Sequence, residues 1–138
     1  MKEIKPKRVL LVDDSQDFLK AAKRFLRGVR GLELVGEATS GEQAVELSAA
    51  LRPDLVLMDF AMPGMNGLMA TQRIKRQPDA PKVIIVTLHT HAALRALANE
   101  AGADGFLQKE DLVLELPRLL ASLFPAAMPP GEKHAGLD

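Results

Sequence analysis

Short apolar runs alternate along this chain with longer segments in which apolar residues recur every third or fourth position. The runs are Val9-Leu10-Leu11-Val12, residues 32–35, residues 55–58, residues 83–86 and a weaker pair, Phe106-Leu107. Runs this short, bounded by turn residues, suit strands buried on both faces. In the first segment between them, Phe18, Ala21, Ala22, Phe25 and Leu26 follow the spacing of one helix face, and Lys20, Lys23, Arg24 and Arg27 take the other. A second helix is predicted from Ser40, with Gln43 at capping-box spacing and Ala44, Val45, Leu47 and Leu51 inward. It stops before Pro53. A third covers 67–76 and a fourth 91–101, with Gly102 as the stop. The last runs over about 111–124, although Pro117 falls inside its pattern, so it either begins late, near Leu116, or is kinked.

Five alternations of strand and helix predict an α/β fold. Its core is a doubly wound, five-stranded parallel sheet, (βα)5, in a three-layer sandwich. An eightfold barrel needs roughly 250 residues and is excluded. The unit is expected over residues 1–124. Residues 125–138 hold Pro125, Pro129, Pro130, Gly131 and Gly136 without an apolar face, and read as a flexible tail or linker.

Composition narrows the chemistry. No cysteine is present, which removes disulfides, zinc-thiolate sites and thiol nucleophiles. Lys plus Arg (18) balances Asp plus Glu (18), so no net field favours nucleic acid or an anionic membrane. No apolar run approaches the ~20 residues that span a bilayer, and the basic start lacks the apolar stretch of a signal peptide. The chain is expected to be cytoplasmic, with no membrane partner and no direct contact with nucleic acid.

In open α/β sheets, ligands bind beyond the carboxyl ends of the strands. The first strand ends in Asp13-Asp14, the third in Asp59, the fourth in Thr87 and the fifth in Lys109. Singly, each has a bland reading as turn, cap or solvated charge. Together, at the ends of different strands, they form a specific pattern. Two unit charges ~4 Å apart repel by about 4 kcal/mol at an effective dielectric near 20. The gathered carboxylates therefore need protonation, Lys109 or a bound cation. Carboxylates, a backbone carbonyl and water make the hard oxygen set that suits Mg²⁺. Metal and lysine can then neutralise phosphoryl oxygens while the Thr87 hydroxyl donates to one of them.

These residues belong to longer motifs: Val9-Leu10-Leu11-Val12-Asp13-Asp14, Asp59-Phe60-Ala61-Met62-Pro63-Gly64-Met65-Asn66-Gly67, Val86-Thr87, and Gly102-Ala103-Asp104-Gly105-Phe106-Leu107-Gln108-Lys109. On them the chain resembles the CheY-like receiver domains of two-component response regulators, across roughly residues 7–124. The last stretch, with Thr87-Leu88-His89, is most similar to receivers of NarL/LuxR-type transcription regulators. The resemblance implies that Asp59 is the phosphoacceptor. It also implies that Asp13, Asp14, Asp59 and the Ala61 backbone carbonyl hold Mg²⁺, with Asp14 direct and Asp13 through water. Lys109 would pair with phosphoryl oxygens, and Thr87 and Phe106 would form the switch pair.

A histidine kinase or phosphotransfer protein is the implied donor, and the basic stripe of Lys20, Lys23, Arg24, Arg27 and Arg30 is a candidate docking surface for it. Output would be a protein contact, with homodimerisation through the fourth helix, fifth strand and fifth helix as one form. A DNA-binding output module is not visible, so the chain is expected to be a stand-alone receiver or one cut from a longer protein.

Three positions depart from the common family pattern. Glu110 stands where many receivers have proline in a cis bond, Leu88 is bulky beside the site and is expected to slow access, and Ala61 offers no polar side chain, whereas His89 could contact water. His89 and His91 otherwise read as loop residues. Two alternatives remain: a pseudo-receiver that only binds partners, and an aspartyl-phosphate phosphatase. The second needs an acid/base Asp two residues beyond the nucleophile, where this chain has Ala61 after Asp59 and Ser15 after Asp13. A signalling switch rather than a turnover enzyme is expected.

Overall fold

In the computed structural model, which describes residues 5–88 and 92–125, strands and helices alternate from the first element to the last. They are β1 (Lys7–Val12), α1 (Gln16–Arg27), β2 (Leu32–Ala38), α2 (Gly41–Leu51) and β3 (Leu55–Asp59), then α3 (Gly67–Lys75), β4 (Lys82–Thr87), α4 (Ala92–Glu100), β5 (Gly105–Gln108) and α5 (Leu112–Leu123). All strand pairs are parallel, and the five strands lie in the order β2-β1-β3-β4-β5. This is the predicted doubly wound sheet.

Side chains that alternate along each strand divide the core in two. Val9, Leu11, Leu55, Leu57, Ile84 and Val86 pack with Leu19, Ala22 and Leu26 of α1 and Leu112, Leu116 and Leu120 of α5. Leu10, Val12, Val56, Met58, Val83 and Ile85 pack with Ala44 of α2, Ala70 and Ile74 of α3 and Ala98 of α4. Every residue of β3 is buried, as a central strand between two helix layers requires. The edge strand β2 is not buried on both faces as predicted: Ala38 alone is fully buried in it, because only one side of the strand is paired.

Helix starts are capped locally. Ser15 Oγ accepts from Phe18 N at 3.2 Å, Ser40 Oγ from Gln43 N at 3.1 Å, and Asn66 Oδ1 from Met69 N at 2.9 Å. The Gln43 side chain reaches back to Thr39 N (2.8 Å) rather than to the cap residue itself, a variant of the expected box. Two helix faces differ from the periodicity reading. On α1, Ala21 is exposed and Leu19 is buried, rotating the apolar stripe by part of a turn. On α2 the inner line is Gly41, Ala44 and Ser48, with Val45, Leu47 and Leu51 half-buried beside it.

The last helix begins at Leu112, after a short 3-10 turn over Lys109–Asp111, so Pro117 lies in its interior and the late start is overturned. Leu112, Leu116 and Leu120 fix this helix to the sheet across the proline, and burial of three leucines outweighs one lost backbone hydrogen bond. No cis peptide bond occurs among the described residues, so Lys109–Glu110 is trans. His89, His91 and the tail beyond Pro125 lie outside the described residues. No described helix is long and apolar enough to cross a membrane.

Candidate functional site

The strand order reverses between β1 and β3: the chain moves from β1 outward to β2, then returns to β3 and continues to β4 and β5 on the other side. A crevice opens at such a reversal beyond the strand ends. Register decides what enters it. Val12 pairs with Met58, so the next residues, Asp13 and Asp59, leave the sheet side by side. Asp59 pairs with Val86, placing Thr87 one residue further out, and Thr87 pairs with Gln108, directly before Lys109.

Side-chain positions complete the assembly. Oxygens of Asp13, Asp14 and Asp59 lie within 4.8 Å of one another. Asp13 is fully buried, Asp59 is 4% exposed, and Asp14 faces solvent. Asp13 Oδ1 accepts from Ser15 N at 2.8 Å, which turns the chain from β1 into α1 and fixes the carboxylate. The Lys109 side chain is 10% exposed, and its ammonium sits 2.7 Å from Asp13 Oδ2 and 3.5 Å from Asp59 Oδ1. The Asp13 contact lacks hydrogen-bond alignment and is best described as a charge–charge pair.

One buried cation faces three carboxylates, and Asp59 carries the consequence. Burial first, then the charge of Asp13 and, less, that of Asp14, push its carboxyl from 3.8 up to about 7 against the pull of Lys109. Three clustered carboxylates of hard oxygen with a single lysine fit a divalent cation such as Mg²⁺ in chemistry and in charge.

The loop after β3 is shaped to hold Asp59 still. Gly67 N donates to Phe60 O at 2.8 Å, closing residues 60–67 into a tight return, and Met62 and Met65 are buried beneath it. A side chain at Gly67 would place its Cβ 2.1 Å from the Asp59 carbonyl oxygen, so only glycine fits. At Gly41, the start of α2, a Cβ would meet Met65 O at 2.5 Å, which packs the same loop from the other side.

Of the residues singled out in the sequence, Asp13, Asp14, Asp59 and Lys109 are brought together in one cluster. Thr87 is buried at the adjoining strand end. Ala61 lies two residues past Asp59 on the exposed part of the loop. Phe106 is half-buried on β5, one strand away, with the Arg95 guanidinium 4.7 Å from its ring centroid. Leu88, just past Thr87, is 64% exposed. Three contributors escaped the sequence reading. Gly67 was visible only as part of a motif, Ser15 only as a residue after two aspartates, and Phe18 only as a core aromatic. The Phe18 ring in fact lies 4.5 Å from the Lys109 ammonium.

Comparison with known proteins places this geometry in context. Residues 9–120 match the family model described as the response regulator receiver domain. The Escherichia coli response regulator UvrY is 40% identical over 116 residues, covering 84% of this chain and 53% of UvrY. The chain thus spans about half the length of that curated relative. Among solved structures, a LuxR-family two-component response regulator from Aurantimonas superposes with a TM-score of 0.82 at 30% identity, covering 96% of each chain. The CheX–CheY–BeF3–Mg²⁺ complex of Borrelia burgdorferi gives a TM-score of 0.80 at 25% identity, covering 87% of this chain and 90% of that one.

Proposed function

This chain belongs to the response-regulator receiver family of two-component signalling, and on that premise we propose that Asp59 accepts a phosphoryl group and thereby switches a protein-binding surface. The observation that carries the reading is the convergence of Asp13, Asp14, Asp59 and Lys109 at one sheet edge, with an Asp59 carboxyl held up at about 7 by burial and its neighbours. A carboxylate oxygen of Asp59 attacks phosphorus, the bond from phosphorus to the donor breaks, and the donor leaves with that electron pair. Asp13, Asp14 and Asp59, with the Ala61 carbonyl, are the residues that would hold Mg²⁺. When bound, the ion supplies positive charge beside the transferring phosphoryl oxygens.

The chain's own groups do the rest. Lys109 already lies beside both buried carboxylates, within reach of an oxygen on a group attached to Asp59. Thr87, on the neighbouring strand end, donates its hydroxyl to a second oxygen. Movement of Thr87 toward the new group opens space into which Phe106 turns, and the equilibrium between two arrangements of the domain shifts. Moving it from 1:99 to 99:1 takes about 5.5 kcal/mol of differential stabilisation. The surface that changes is the face of α4, β5 and α5. Leu97 on α4 and Val113 and Leu114 on α5 are exposed there, at 48%, 64% and 61%, which supports a protein contact such as homodimerisation as the output. A histidine kinase or phosphotransfer protein is the donor, and the α1 cations are its docking site.

The test is the intact mass after incubation with acetyl phosphate and Mg²⁺. One added phosphoryl group on the wild type, absent from Asp59→Asn and absent with a chelator, is expected. A folded wild type that stays unmodified under every small donor and every kinase offered would instead make the domain a phosphorylation-independent binding module.

A further inference from the structure

Lys109 meets more than carboxylates. Its ammonium is paired by charge with Asp13 Oδ2 at 2.7 Å and Asp59 Oδ1 at 3.5 Å. The ring of Phe18, whose centroid is 4.5 Å away, lies within cation–π range of the same nitrogen. With its side chain 10% exposed, Lys109 is largely withdrawn from water, the condition under which a ring face contributes most.

The ring is held there by the backbone. Ser15 N donates to Asp13 Oδ1, Phe18 N donates to Ser15 Oγ, the Phe18 ring faces Lys109, and Lys109 returns to Asp13 Oδ2. The contacts form a closed circuit through the β1–α1 turn. The lysine opens the 3-10 turn after β5, some ninety residues further along the chain, and the circuit fixes it to the site from the first helix.

We propose that Phe18 is a positioning residue for Lys109, its ring face setting where the ammonium stands for phosphoryl transfer to Asp59. The proposal deepens the reading of Asp59 as phosphoacceptor and rests on it for the functional consequence. The ring acts only through the lysine. An aliphatic side chain of similar bulk preserves the packing against the core on this face of the sheet but leaves the ammonium with the carboxylates alone, drawn further toward Asp13 and less available to a phosphoryl oxygen.

Two measurements on the full chain test it. The first is a double-mutant cycle in metal-free buffer, with Phe18→Leu and Lys109→Met, singly and together, followed by urea unfolding. A direct contact gives a coupling of roughly two- to thirtyfold in the unfolding equilibrium constant. The second compares wild type, Phe18→Leu and Phe18→Tyr for the phosphorylation rate with acetyl phosphate and for Mg²⁺ affinity by calorimetry. The expected result is a rate lowered roughly two- to thirtyfold in Phe18→Leu, restored in Phe18→Tyr, with Mg²⁺ affinity unchanged in both. If Phe18→Leu does not fold, Phe18→Met takes its place. Absence of coupling overturns the proposal, as does a rate and a metal affinity that fall together and are not restored by tyrosine. Coupling in a wild type that takes up no phosphoryl group supports the positioning contact while sinking the assignment of Asp59.

Discussion

Replacing Asp59 with asparagine should stabilise the metal-free protein at alkaline pH, although it removes the residue the site is built around. In the folded chain the carboxyl is held at about 7, against 3.8 when unhindered. A group raised in this way contributes most to stability when protonated, below about 4, and that contribution is lost as pH rises toward 7. Above pH 7 the deficit reaches about 4 kcal/mol, from 1.36 kcal/mol for each tenfold change in acidity. A direct count agrees in size: two charges 4.8 Å apart repel by about 3.5 kcal/mol at an effective dielectric near 20. An asparagine amide keeps the shape but also buries polar atoms, so the net gain at pH 8 is set at about 2–3 kcal/mol. At pH 5 it should fall below about 1 kcal/mol, because wild-type Asp59 is then largely protonated. Mg²⁺ should close the gap at pH 8 by stabilising the wild type more than the variant, which lacks one ligand. With no Trp and no Tyr in the chain, urea unfolding is followed by far-ultraviolet circular dichroism. A variant less stable than wild type at pH 8 in chelator, or an offset that is the same at pH 5 and pH 8, would refute the reasoning.

Other perturbations follow from particular contacts. Gly67→Ala forces a methyl against the Asp59 carbonyl, and should cost more than about 2 kcal/mol in urea unfolding while lowering the phosphorylation rate at least about tenfold. Pro117→Ala restores a backbone donor inside α5 and should raise stability by about 1–3 kcal/mol without changing phosphorylation; a loss of stability would show that the proline is required there. Leu116→Ala, at a fully buried position between α5 and the sheet, should cost about 2–5 kcal/mol, read as a lowered urea midpoint with the slope unchanged. Mg²⁺ affinity, measured by calorimetry, should rise with pH up to about 7 as Asp59 ionises and level off above it, and a flat profile from pH 5 to 8 would remove Asp59 from the ligand set.

The strands and the site residues at their ends were legible in the sequence for one reason. A parallel sheet covered on both faces makes its central strands continuously apolar, so the first polar residue after each run marks the sheet edge. Asp13, Asp59 and Thr87 stand at those breaks, and Lys109 follows the weaker fifth run. What was less legible depends on angles and distances that spacing does not encode. Ala21 and Leu19 exchanged roles because a helix stripe is wide enough to fit either phase. β2 read as buried because its composition does not say that it lies at an edge. The late start suggested for α5 came from weighing Pro117 locally, whereas three leucines at i, i+4 and i+8 carry the helix through it. The parts of the site contributed by backbone approach at Gly67, and by a ring against a lysine some ninety residues away, have no periodic signal.

The central claim, that Asp59 is the residue that carries the phosphoryl group, is tested most directly by locating the modification. The chain is phosphorylated with acetyl phosphate and Mg²⁺ and reduced with borohydride, which converts an aspartyl phosphate to homoserine. It is then digested and read by tandem mass spectrometry. Homoserine at position 59, and at neither Asp13 nor Asp14, is the predicted result. Homoserine at Asp13 or Asp14 with Asp59 intact, or none in a protein shown to be folded and metal-bound, would contradict the account.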